Sequence, residues 1–209
     1  MKKRFGSVCR KTKETDILAE VALDGSGKGK ADTGIPFLDH MIEALAKHGL
    51  FDIKVKAKGD LHIDNHHTNE DVGIALGQAF KAALGDKKGV VRFADFRAPL
   101  DEALSGTRVS LDLSGRGSYH QHTHPETKWL DHPALRVTKG HKGYTVADAK
   151  HFLESFADHL GMTLHVDFIS GEQPHHVIEA TFKALAKALD RATSVDPRAK
   201  GVPSTKGKL

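Results

Sequence analysis

The sequence predicts an α+β fold in two tandem repeated halves, each a β-sheet with helices packed on one face. Three observations carry this prediction. Stretches with apolar residues at every second position alternate with stretches at helical spacing. A five-residue motif, His-His-x-x-Glu, occurs twice, once in each part of the chain. The 209 residues are enough for one sizeable domain or two small intertwined ones, and a chain of this size buries roughly 70% of the surface its unfolded form exposes, so folding needs no metal or disulfide. The halves are placed at residues 1–92 and 93–209, the second with an excursion at 115–144 and a C-terminal tail.

In order along the chain, Ile17, Ala19, Val21 and Leu23 share one face of a strand over 15–23. The run Asp24-Gly25-Ser26-Gly27-Lys28-Gly29 is a turn. Residues 37–48 form a helix with Met41, Ile42 and Leu45 on one side. Ile53, Val55 and Ala57 alternate as a strand, and 67–84 form a second amphipathic helix that stops at Gly85. Val109, Leu111 and Leu113 mark a further strand, followed by a helix at 146–160, an extended segment at 162–169 and a helix at 175–192. The Pro- and Lys-containing tail beyond Ala192 is irregular. The 115–144 segment is rich in Gly and Pro and holds His120, His122, His124, His132 and His141, a composition that favours a loop or hairpin excursion. Its His-x-His-x-His run at 120–124 could bind metal, but the spacing equally fits a strand with one solvated polar face, which is the favoured reading.

Composition excludes several classes. Apolar residues are 39% and charged residues 28%, the balance of an ordinary globular protein and not of a disordered chain. No apolar run approaches the roughly 18 residues of a membrane span. The net charge of +4 comes with only 6% aromatic residues and no basic-aromatic interleaving, so nucleic acid is not an expected partner. The single cysteine, Cys9, excludes an internal disulfide and a Cys-based zinc site. No apolar stretch follows the basic start Met1-Lys2-Lys3-Arg4, so no secretory signal is expected; the expected compartment is the cytoplasm, or a plastid after transit-peptide removal. The informative count is 15 histidines, histidine being the commonest metal ligand and a general base near neutral pH.

Those histidines fall into a repeat. His66-His67-Thr68-Asn69-Glu70 and His175-His176-Val177-Ile178-Glu179 share one pattern at an offset of 109 residues. Upstream, His40, Glu43, Ala46, His48 and Val55 match His151, Glu154, Ala157, His159 and Val166 at an offset of 111. On a helix the first His and the Glu are at i and i+4, the second His and the Glu at i and i+3, so both pairs share a face. The adjacent histidines diverge by about 100 degrees and can serve different ions. Three imidazoles and one carboxylate suit Mn, Fe, Co or Zn. If the halves are related by a pseudo-two-fold axis, equivalent residues serve opposite metals. One set is then His40, His67 and Glu70 with His175; the other is His151, His176 and Glu179 with His66. His48 and His159 lie about 12 Å along their helices from His40 and His151, too far to share an ion, and suit packing or substrate contact.

The chain resembles the imidazoleglycerol-phosphate dehydratases of histidine biosynthesis. The resemblance rests on Glu14-Thr15, on Thr33-Gly34-Ile35-Pro36-Phe37-Leu38-Asp39-His40-Met41 and on Gly59–Asp71 with its His-His-Thr-Asn-Glu core. It continues through Gly89–Phe93, Asp101-Glu102-Ala103-Leu104, Leu111–Arg116, His175–Lys183 and Ser204-Thr205-Lys206-Gly207. Gln173 stands where the family usually has Asn, and 117–144 has no match. The resemblance implies a fold like domain 2 of ribosomal protein S5. It implies conversion of imidazole glycerol phosphate to imidazole acetol phosphate and water, with two Mn2+ per active site, and a large homo-oligomer, a 24-mer, with metals at subunit interfaces. It implies His40, His66, His67, Glu70, His151, His175, His176 and Glu179 as metal ligands, and Glu14 for proton transfer, with His66, Glu70 and Glu179 also at the reacting centre. Arg92, Arg116, Lys183, Ser204, Thr205 and Lys206 are implied as phosphate and substrate contacts, together with Glu14, His40, His48, His66 and Glu70.

Two other readings stay open from the residues alone. One is a metal-binding or assembly protein without turnover; the other is a bimetal phosphohydrolase, although such enzymes usually lean on carboxylate-rich ligands.

Overall fold

The structure is a computed structural model that describes residues 4–132, 135–138 and 143–209; Met1–Lys3 of the basic start, and Pro133, Gly140 and His141 of the excursion, lie outside the described residues. Two four-stranded sheets have the same plan. The first runs β1-β2-β4-β3 and the second β5-β6-β8-β7. In the first, β1 (Phe5–Lys11), β2 (Thr15–Ala22) and β4 (Asp52–Gly59) pair antiparallel and β3 (Gly29–Asp32) joins β4 in parallel. In the second, β5 (Phe93–Leu100), β6 (Ala103–Asp112) and β8 (Thr163–Phe168) pair antiparallel and β7 (Ser118–Thr123) joins β8 in parallel. Four helices, α1 (Pro36–Gly49), α2 (His66–Leu84), α3 (Val146–Leu160) and α4 (Pro174–Thr193), complete the halves.

The central strands and all four helices fall where periodicity places them. Ile17, Ala19 and Val21 on β2, and Leu164, Val166 and Phe168 on β8, are buried beneath the helices. The edge strands β1, β3 and β5 were not legible. An edge strand pairs on one side and is half-solvated, so its residues need not alternate: β5 reads Phe-Ala-Asp-Phe-Arg-Ala-Pro-Leu and is exposed over most of its length. The excursion at 115–144 opens not as a loop but as β7, the strand with one solvated polar face expected from the His-x-His-x-His run, with His120 and His122 exposed, and continues as a 3-10 helix at Pro125–Asp131.

Helices α1 and α2 pack on the first sheet, α4 on the second and α3 against β7. The two helix pairs meet crosswise, α2 against α3 and α1 against α4. Glycine permits the first crossing. A Cβ on Gly73 would lie 3.0 Å from the Phe152 carbonyl oxygen, and one on Gly77 would lie 2.7 Å from that of Phe156. A buried polar link fixes the same crossing: Asn69 Nδ2 donates to the Asp148 carbonyl, and Tyr144 Oη donates to Asn69 Oδ1. The tail beyond α4 is irregular but tied down, since Asp196 N donates to Gly89 O and Gly89 N to Gly201 O.

Candidate active site

The crosswise helix packing decides which histidines meet. α1 begins with Pro36 at its first turn, and Asp39 accepts from both the backbone N–H and the hydroxyl of Thr33, at 2.9 and 2.7 Å, fixing the loop that feeds the helix. α4 likewise begins with Pro174, directly before His175 and His176. α3 starts from a capping box in which Thr145 and Asp148 satisfy each other's backbone N–H groups. These starts bring two matching groups together. His40 Nε2 and His175 Nε2 lie 3.4 and 3.3 Å from the same oxygen, Oε2 of Glu179. His151 Nε2 lies 3.6 Å from Glu70 Oε1, and its ring stacks on His66 at 4.4 Å between centroids. In each group one donor atom from every residue falls within 4.8 Å of the others.

This corrects the grouping expected from the repeat. The pairings His40 with His175 and His66 with His151 are present. The glutamates are exchanged, however, so His40 faces Glu179 and His151 faces Glu70. The reason is that α1 packs on α4 and α3 on α2, so each lone histidine meets the opposite half's motif. His67 and His176 join neither group. They diverge from their neighbours on the helix, and each gives its Nδ1 to an acid: His67 to Asp60 at 2.9 Å and His176 to Glu102 at 2.7 Å. Glu14 Oε2 stands 3.9 Å from His67 Nδ1, and Asp101 Oδ2 stands 3.9 Å from His176 Nε2. Asp60 and Glu102 were missed in the sequence. Extending the repeat would have found Glu102, because it sits at the β5–β6 turn as Glu14 sits before β2.

The electrostatics follow. The hydrogen bond to Asp60, reinforced by Glu14 and Asp64, pushes the His67 imidazole above its ordinary value, and the same bond holds Asp60 below the usual carboxylate range. His176 does the same to Glu102. Burial opposes ionisation of Glu179, yet the Lys183 ammonium, 2.8 Å from Oε1, and His40 together hold the carboxyl low. Burial, with Lys183 and Lys187 nearby, pushes His48 down.

The expected phosphate contacts are separately placed. Arg92 grips Asp112 through Nε and Nη2 at 2.7 and 3.0 Å and donates from Nη1 to the Pro203 carbonyl at 2.7 Å, which ties the Ser204–Lys206 segment to it. Lys206 N donates to Ser204 Oγ. Arg116 and Lys206 are exposed. Among the described residues, no hydrogen bond or ion pair joins Arg116, Ser204, Thr205 or Lys206 to either histidine group.

The chain has clear relatives. The family model described as imidazoleglycerol-phosphate dehydratase matches residues 33–189. The imidazoleglycerol-phosphate dehydratase of Pisum sativum, described as chloroplastic, is 54% identical over 99% of this chain and 69% of its own length. That of a Thermoanaerobacter species is 52% identical over 99% of this chain and all of its own. The crystal structure of the Pyrococcus furiosus enzyme superposes with a TM-score of 0.75 at 35% identity, covering 97% of this chain and 100% of that one. Two similar halves, crosswise histidine groups and relatives of near-equal length agree: this chain belongs to the imidazoleglycerol-phosphate dehydratase family and is a lyase of that kind.

Proposed function

We propose that the chain removes water from imidazole glycerol phosphate, giving imidazole acetol phosphate, with two Mn2+ per active site. The observation that carries the metal reading is the pair of His-His-Glu groups, each drawn from both halves. The donor set fits: neutral imidazoles and a carboxylate suit a first-row divalent ion. His40, His175 and Glu179 would hold one ion, and His66, Glu70 and His151 the other. Each group is one donor short of three His and one Glu. His67 and His176 have Nδ1 committed to an acid, which leaves Nε2 as the ligating atom. Facing a neighbouring copy, they would complete its groups, which supports a large homo-oligomer such as the expected 24-mer.

The hydroxyl lost is next to the imidazole ring, and the proton lost is not next to a carbonyl, so the ring must accept the electrons. Bound ions would supply Lewis acidity and orient that ring. Glu14, exposed beside His67, moves the proton. Arg92 binds phosphate and also holds the tail that carries Ser204, Thr205 and Lys206, so one residue orders two parts of the phosphate site. Lys183 keeps Glu179 ionised. We expect the enzyme in the cytoplasm, or in a plastid like the chloroplastic Pisum sativum relative; no described helix is long and apolar enough to cross a membrane. The test is to follow one substrate by mass. A ketone formed with loss of water and with phosphate retained, in a reaction abolished by chelator and restored by Mn2+, supports the proposal. Release of inorganic phosphate would mean a phosphohydrolase.

A further inference from the structure

The second sheet carries a cluster of imidazoles that neither histidine group uses. His120 and His122 sit two residues apart on β7, so both side chains leave the same face. His165 on β8 is in register with His120. The face is the outer one, since the alternate residues Leu164, Val166 and Phe168 are buried beneath the helices. The rings are in contact: His120 stacks on His165 at 4.5 Å between centroids, and His122 lies parallel to His165 at 5.6 Å. His122 Nε2 and His165 Nδ1 are 3.3 Å apart.

We infer that His122, His165 and His120 form a second kind of metal site, taking one Zn2+ per chain on the outer face of this sheet. The decisive quantity is the 3.3 Å separation. Zn–N bonds of about 2.05 Å at tetrahedral angles put two ligating nitrogens about 3.3–3.4 Å apart. His122 and His165 therefore already hold the bite of a tetrahedral ion, and only a proton shared between the rings has to leave. The paired backbones of β7 and β8, in register from Ser118 with Thr163 to Thr123 with Phe168, keep that spacing rigid. His120 is exposed, so its ring can turn from the stack to offer a third nitrogen. His165 also borders an open hollow of about 450 Å³, with Ser110 and Thr163, which leaves room for a water as fourth ligand. Burial and its two histidine neighbours hold the His165 imidazole below its ordinary value, against the opposing pull of Asp167. The donor set also differs from the other groups. Its nitrogens all come from imidazoles, which favours Zn2+ or Cu2+ over a harder ion such as Mn2+, and the Asp167 carboxylate, in register with His122 and felt by His165, adds a counter-charge beside the ion.

The test compares the full-length protein with His122→Gln, His165→Gln and His132→Gln, the last an exposed histidine outside the cluster. Each is dialysed against excess Zn2+ near neutral pH and its bound zinc counted by elemental analysis. His122→Gln and His165→Gln should each hold one ion per chain fewer than the unaltered protein, and His132→Gln the same number. Loaded with Co2+, the unaltered protein minus His122→Gln should give a tetrahedral visible spectrum. Equal zinc counts in all four proteins, or no Co2+ difference spectrum, would overturn the site. If His165→Gln misfolds, the exposed His122→Gln carries the test alone.

Discussion

His40 Nε2 on the first helix lies 3.4 Å from Glu179 Oε2 on the last, so the first and last helices meet at one chemical group. The relationship is reciprocal, for His151 in the second half reaches Glu70 in the first. Neither half assembles a group from its own residues. Because the groups share no residue, His40→Ala and His151→Ala should each remove one ion per chain and leave the other in place. Elemental analysis of both variants checks this; loss of both ions from either variant would show a single coupled site.

The α2–α3 crossing should be sensitive to side-chain size. A Cβ at position 77 meets the Phe156 carbonyl at 2.7 Å, and backbone cannot move aside as a flexible side chain can. Gly77→Val should destabilise the fold by about 1–3 kcal/mol through overpacking. It should also separate His151 from His66 and weaken metal binding. Urea titration and metal titration of the same variant measure the two effects.

The Asp60–His67 pair gives a signed pH dependence in the metal-free protein. The His67 pKa is raised in the fold, so its contribution is full below about pH 6.5, the unfolded value, and is lost as pH rises through the folded value. The Asp60 pKa is lowered, so its contribution is present above about pH 4 and is lost as pH falls through its folded value. The pair therefore stabilises most between those limits. Asp60→Asn should flatten that part of the stability profile and return the His67 imidazole toward its ordinary pKa, read by NMR titration of its ring protons.

Glu14 is assigned to proton transfer and not to ligation. Glu14→Gln should lower kcat by about 10²–10⁴-fold, the usual weight of a general acid or base. Metal content and particle size should not change. A variant that loses metal together with turnover would move Glu14 into the ligand set.

If His67 and His176 complete the groups of neighbouring copies, metal binding is also association energy. Chelator should then yield a smaller, still folded species, since a core of this size needs no ion to fold. Light scattering beside circular dichroism tests both parts, and full size retained under chelator would place the ions within one subunit.

Helix extents were readable from their periodicity, with Gly85 as one stop; the structure adds that Pro36 and Pro174 open helices, Gly161 closes one and Thr145 caps one through its own side chain, all of them local signals. The candidate ligands were readable too, since a motif repeated at fixed spacing is a property of the chain. Three of the edge strands were not. β1, β3 and β5 owe their extended form to a neighbouring strand's hydrogen bonds and not to their own pattern, whereas β7 showed itself in the alternation of His120, His122 and His124. The sequence by itself determined that two His-His-x-x-Glu helices and two lone histidines exist, and that adjacent histidines point apart. Only the tertiary structure decided that His40 joins Glu179 and that His67 and His176 turn to Asp60 and Glu102. Those choices depend on which helices cross and how closely. Close approach at Gly73 and Gly77, with the Asn69–Tyr144 hydrogen bond, sets the α2–α3 crossing between residues far apart in the chain.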